Sequence, residues 1–151
     1  MKKFLLFILT MSLVFSLVGC GIEIEDTNGE DDYSLNTITD DNIISLDLGA
    51  STYSTSVDER PIEFKANNFS GVAEIFSENY FLASSIEIQV TSVNVNAGNL
   101  RLVVVCDDEI VHDFDINTTE LQQYLLEDVK GSVSVRVAGE SADCKIYVDV
   151  Y

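Results

Sequence analysis

The chain has 151 residues, 8 basic against 26 acidic, giving a net charge of −18; it has three cysteines, one histidine and no tryptophan. That balance excludes nucleic acid as a natural partner, because affinity for phosphates is built from Lys and Arg. It also opposes electrostatic docking on anionic lipid or polyanionic wall polymer, and the length allows one domain of ordinary size plus a tether.

Met1, Lys2 and Lys3 make a short basic start, and Phe4–Val18 is a 15-residue apolar run interrupted only by Thr10, Ser12 and Ser16. A membrane-spanning helix needs about 20 apolar residues. Small and then acidic residues follow instead of a stop-transfer cluster, so residues 1–19 are predicted to be a secretory signal peptide. The run ends in Leu17-Val18-Gly19-Cys20, which resembles the lipobox of bacterial lipoproteins. The resemblance implies that the Cys20 sulfur carries a diacylglyceryl group and that Cys20 becomes the new N-terminus, with Gly19 as the small residue before the cut. Two acyl chains anchor stably where one holds weakly. The expected address is therefore the extracytoplasmic face of a cell membrane, with the membrane itself as one partner.

Cleavage leaves six basic residues, the eight less Lys2 and Lys3, against 26 acidic ones, a charge near −20. Residues 20–42 are the predicted tether. After Cys20 they contain Glu23, Glu25, Asp26, Glu30, Asp31, Asp32, Asp40 and Asp41 and no Lys or Arg, too little apolar surface to offset the entropy of ordering. As a neutral coil, about 22 residues span roughly 25 Å, and self-repulsion lengthens them.

From Ile43 to Tyr151 short apolar runs alternate with polar turns, which defines the predicted domain. Ile43–Leu48 ends at Gly49, and Pro61 introduces the alternating Ile62-Glu63-Phe64. Ile86, Ile88 and Val90 alternate with Glu87, Gln89 and Thr91, the pattern of a half-buried strand. The phase slips at Ser92, which predicts a β-bulge or a change of sheet. Ala97-Gly98-Asn99 is predicted to be a turn and Leu100–Cys106 a central strand, with Asp107-Asp108 closing a tight hairpin onto Glu109–Phe114. Asn117–Val129 fits either a short capped helix, with Leu121, Tyr124 and Leu125 on its apolar side, or a strand. Val133, Val135 and Val137, then Ile146, Val148 and Val150, mark two more alternating strands. Seven to nine short strands in about 110 residues predict an all-β fold, an antiparallel jelly-roll-like β-sandwich, with a single sheet packed on a helix as the alternative.

Gly98–Val105, the hairpin, Asp128–Val137 and Lys145–Asp149 together resemble the second half of carbohydrate-binding-module and galactose-binding-like jelly rolls. The resemblance tips Leu121–Leu126 towards strand, and it implies a sugar-binding role and a structural calcium. Such modules usually present Trp or several aromatics to sugars, and this chain departs from that pattern in having no Trp.

His112, the lone histidine, has no G-x-S-x-G serine to serve and is read as an ordinary strand residue. Asp107, Asp108, Glu109, Asp113 and Asp115 are the candidate calcium ligands, although they lack the D-x-D-x-D-G spacing of a dedicated loop. Cys106 and Cys144 both fall in phase with core positions and have no metal-type C-x-x-C spacing. An extracytoplasmic disulfide is permitted between them, with buried free thiols as the alternative. Tyr147 and Tyr151 flank Asp149 on the outward side of the last strand, where rings can stack on a sugar and the carboxylate can accept hydroxyl hydrogen bonds. The expected function is a non-enzymatic, membrane-anchored binding module, with carbohydrate as a candidate ligand. The alternative is an accessory subunit docking a basic envelope protein through its acidic surface.

Overall fold

The computed structural model describes residues 35–50, 53–56 and 60–151. The signal peptide, the lipobox and most of the tether lie outside the described residues. The elements are helix α1 (Asp40–Ser45) and strands β1 (Tyr53–Ser56), β2 (Ile62–Cys106), β3 (Glu109–Phe114) and β4 (Gln122–Val150). All pairing among the strands is antiparallel, in one continuous sheet. The all-β class expected from alternation is what the structure has, but with fewer and much longer strands than the seven to nine foreseen.

Two facts show that these long strands bend back on themselves. Ile88 pairs with Tyr124, and Val104 pairs with His112. An extended strand would separate Ile88 from Val104 by about 50 Å, yet the Tyr124 and His112 rings stack with centroids 4.1 Å apart and planes 6° from parallel. The second fact is the core: Phe64, Ile88, Leu102, Val135, Ile146 and Val148 share one buried cluster. The described helix packs elsewhere, so the sheet covers its own face. One layer contains β1, residues 62–66, 86–95, 122–126 and 142–150; the other contains 71–80, 99–106, 109–114 and 131–139.

The bend has a sequence cause. Register breaks occur at one level across β2 and β4, between Ala66 and Gly71 and between Val95 and Asn99. Opposite them Ser141 has φ 55°, and within the first break Asn68 has φ 52°. Bulges at neighbouring positions increase local twist and turn the strands together. Each bulge also resets the inward phase: Val133, Val135 and Val137 face the core before it, and Ala142, Cys144 and Ile146 face the core after it. The backbone amide of Asn68 donates to Asp143 Oδ1 at 2.6 Å, and that of Ser141 to Ser70 Oγ at 2.9 Å. Gly98 (φ 75°) is required here, because a Cβ would sit 2.3 Å from the Ser141 carbonyl oxygen. Ala97-Gly98-Asn99 is therefore a bulge inside β2 and not the predicted turn; Gly and Asn suit positive φ in either role. The slip near Ser92 is a register shift, as expected. Asp107 and Asp108 (φ 46° and 62°) form the two-residue hairpin joining Cys106 to Glu109. Residues 122–129 are strand, which resolves the helix-or-strand alternative.

The outer face of the second layer is covered by residues 35–48, part of which was expected in the tether. Thr39 caps α1 in a reciprocal capping box with Asn42, and Leu46 closes it in the left-handed conformation. Ile38 and Ile43 pack on Val72, Val103, Val105 and Ala138. Three charged side chains from the sheet fasten the segment. Arg136 donates to the carbonyls of Ile43 (2.8 Å) and Ile44 and pairs with Glu74 at 3.3 Å. Arg101 bridges Asp40 and Asp113 at 2.6 and 2.5 Å.

Glu140 accepts hydrogen bonds from the Thr37 hydroxyl (2.6 Å) and from the amides of Asn36 (2.9 Å), Thr37 (2.5 Å) and Ile38 (3.2 Å). The Thr37 hydroxyl first, then these amides, hold the Glu140 carboxyl down at about 2 against an ordinary 4.5. A carboxylate depressed in the folded state stabilises it above its unfolded pKa, and that stabilisation is lost as the pH falls through its folded value. The 36–38 contact is thus expected to weaken between pH 4.5 and about 2. Hydrogen-exchange protection factors for those amides should fall over that window, and Glu140→Gln should remove the dependence.

Candidate outer-face binding site

The inward turn of Ile146, Val148 and Val150 forces Lys145, Tyr147, Asp149 and Tyr151 onto the outer face of the first layer. The strap of residues 35–48 packs on the other layer, not on this face. Strand pairing adds neighbours: Glu63 opposite Tyr147, Gln89 between Asp149 and Gln123, and Glu87 opposite Leu125. Glu87 and Tyr151 exchange backbone hydrogen bonds of 3.1 and 2.9 Å, which fixes the terminal tyrosine on the ladder. The result is a short plane, with Tyr151–Glu87–Leu125 as one row and Asp149–Gln89–Gln123 as the next.

The two ends of this plane differ in charge. At one end Lys145 Nζ lies 3.3 Å from Glu63 and 4.8 Å from the Tyr147 ring centroid. Tyr147 first, and then Lys145, hold the Glu63 carboxyl below the usual range, while Tyr147 and Glu63 raise the Lys145 ammonium. At the other end Gln89 Nε2 donates to Glu87 at 2.8 Å. Asp149 is only 9% exposed, and among the described residues its carboxylate has no hydrogen-bond partner. Tyr151 leaves 65% of its surface to solvent.

The other predicted site residues are placed differently. Cys106 and Cys144 are free thiols. Of the two alternatives left open, the structure has the free thiols: Cys144 lies opposite Val95 and Ala66, whereas Cys106 lies opposite Val133, at the other end of the ladder. Burial pushes the Cys144 thiol up to about 11 and raises that of Cys106 as well, so neither is a poised nucleophile.

Three of the five candidate calcium carboxylates are held in structural roles. Asp107 accepts from the Ser132 amide at 2.9 Å, Asp113 pairs with Arg101, and Asp115 accepts from the Asn117 amide at 2.9 Å. Among the described residues no three His, Cys, Asp or Glu side chains gather as a metal site. His112 is walled in by Tyr124 and, edge-on at 4.7 Å, by Phe114; burial lowers its pKa.

Glu87, Gln89 and Gln123 were not foreseen beside Asp149. Alternation places Glu87 and Gln89 on an outer face, but which strand adjoins which is not written in a single sequence.

No family model matches the sequence, and no curated protein matches it. Among solved structures the chain is similar to the CBM36-1 domain of a multidomain xylanase from the hindgut metagenome of Trinervitermes trinervoides. That domain is 13% identical with a TM-score of 0.38, the match covering 72% of this chain and 92% of that one. A family 35 carbohydrate binding module from an environmental isolate is similar at 19% identity and TM-score 0.38, over 69% and 87% of the two chains. At that level of superposition the likeness assigns no ligand, and the site rests on its own geometry.

Proposed function

We propose that this protein is a non-catalytic binding module that takes a glycan on the outer face carrying Tyr147, Asp149 and Tyr151, and that Cys20 holds it by a diacylglyceryl anchor on the extracytoplasmic side of a membrane. The observation that carries the ligand reading is the open plane itself. An exposed tyrosine ring and an unpartnered carboxylate adjoin there, beside amide side chains able to donate and accept hydrogen bonds. Concave or flat sites with a few placed polar groups and aromatic walls suit sugars, whose faces are apolar and whose edges are hydroxylated. The raised thiols and the ring-walled His112 favour binding over catalysis. The anchor rests on the lipobox resemblance.

The test is a glycan array probed with the full-length protein in detergent, followed by titration of the best ligand. Tyr151→Ala is expected to weaken binding about tenfold, roughly 1.4 kcal/mol, without changing thermal stability, because the ring is largely exposed. Unchanged affinity would remove the ring from the site. For the anchor, Cys20→Ser should shift the protein out of the membrane fraction.

A further inference from the structure

We infer that Phe81 and Leu82 form an apolar tip that dips into the surface of the bilayer to which Cys20 anchors the chain, a second and non-covalent hold; the inference rests on the anchor reading above. The argument starts from the ladder. Tyr80 pairs with Gly131 and Ser84 with Val129, so residues 81–83 of β2 stand opposite Lys130 alone. Three residues facing one cannot all stay on the ladder, and the excess is thrown outward as a wide bulge. Phe81 and Leu82 are left 91% and 79% exposed, with a half-buried Tyr80 at their root. Apolar side chains scattered singly over a surface are ordinary, but two large neighbours standing clear of the sheet mark a contact site.

The groups around the pair match the layers of a membrane surface. Tyr80 packs its ring against the core and donates its hydroxyl to Glu78 at 3.1 Å, an amphipathic ring of the kind found where headgroups meet acyl chains. Lys130 is exposed and makes no ion pair among the described residues. A lysine there can rest its stem on apolar surface while its ammonium meets a lipid phosphate. Glu78, Glu127 and Asp128 are close by in the chain, which turns the tip away from strongly anionic lipid and towards a zwitterionic surface. Reach decides the occupant. The described chain enters where the Thr37 hydroxyl donates to Glu140, next to the Gly71–Gly139 pair. From Gly71 to Tyr80 the strand covers about 30 Å. The 15 residues from Cys20 to Leu35 span up to about 50 Å, so an anchor at Cys20 leaves the tip within reach of its own bilayer.

The chain has no tryptophan, so Leu82→Trp supplies a single fluorescent reporter. The full-length variant, purified with its anchor and reconstituted into phosphatidylcholine vesicles, is expected to float with them and to lose emission when the acyl chains are brominated. Asn94→Trp, at an exposed position near the bend, should float equally and keep its emission. Phe81→Asp added to Leu82→Trp should abolish the quenching at unchanged melting temperature, because both side chains lie outside the core. Flotation without quenching at position 82 overturns the inference and leaves the anchor standing. Equal quenching at 82 and 94 overturns it as well, since the contact is then not made by the tip, and so does quenching that survives Phe81→Asp. A reporter at 82 that is shielded in native membranes but not in lipid vesicles assigns the tip to a protein partner instead. If the protein does not float at all, the anchor reading falls and takes the inference with it.

Discussion

Phe69→Ala is expected to lower stability by about 3–5 kcal/mol, the range for deleting a buried aromatic ring. Phe69 is fully buried where the strands bend, edge-on to Phe64 at 5.3 Å and to Tyr53 at 6.0 Å. Its ring also lies against Gly139, where an added Cβ would come within 2.4 Å of Cδ1. The aromatic ring and the glycine are thus a matched pair, and the void left by alanine opens where both layers meet. A domain of this size typically has 5–15 kcal/mol in hand, so the melting temperature should drop by roughly 10–20 °C. Gly139→Ala alone should also destabilise, through overpacking. Combined with Phe69→Ala it should cost less than the sum, because the added methyl then enters vacant space. Additive losses in urea or thermal unfolding would show that the ring and the glycine do not share one packing site.

Arg136→Ala should be nearly as damaging, by about 2–4 kcal/mol. The guanidinium is buried on the outer side of the second layer, and it is the group that satisfies carbonyls at the end of α1, a helix with no basic residue in its own last turn. Truncation leaves the carbonyls of Ile43 and Ile44 and the carboxylate of Glu74 without their donor. Arg136 Nε is itself buried without a partner, a debit that the other bonds of the side chain must outweigh. The loss should be local first. Hydrogen exchange in 38–46 should speed up while amides at Val133 and Val148, in the shared core, keep their protection until global unfolding. Uniform loss of protection across both regions would mean that the segment does not act as a separable strap.

The strand faces were legible because alternation is a local property. Ile86, Ile88 and Val90 are all buried, as are Val133, Val135 and Val137, and the slip at Ser92 was visible as a change of parity. The outward set Tyr147, Asp149 and Tyr151 followed from the same rule. What alternation cannot say is whether a Gly-Asn pair reverses the chain or only bends it, and so Ala97-Gly98-Asn99 was misread. Nor does it separate an outward residue in water from one under a second cover. Arg136 and Ser134 look like solvated positions and are buried, because residues 35–48 lie across that side of the sheet. The strap escaped notice since α1 has a single fully buried residue, Ile43, and its capping box uses Asn42 where Glu or Gln is usual. The pairing of Glu87 with Tyr151, which assembles the outer plane, is a long-range fact that no local pattern contains.

The chain enters across one side of the sandwich, and its open plane lies on the other. A tug arriving ahead of Leu35 meets the Glu140, Arg101 and Arg136 fastenings before it meets any strand. Under load those fastenings yield first, paying out slack while the bent sheet stays whole. The plane opposite is thus expected to keep its shape while the strap gives way, much as a ship's cable runs before the hull is strained.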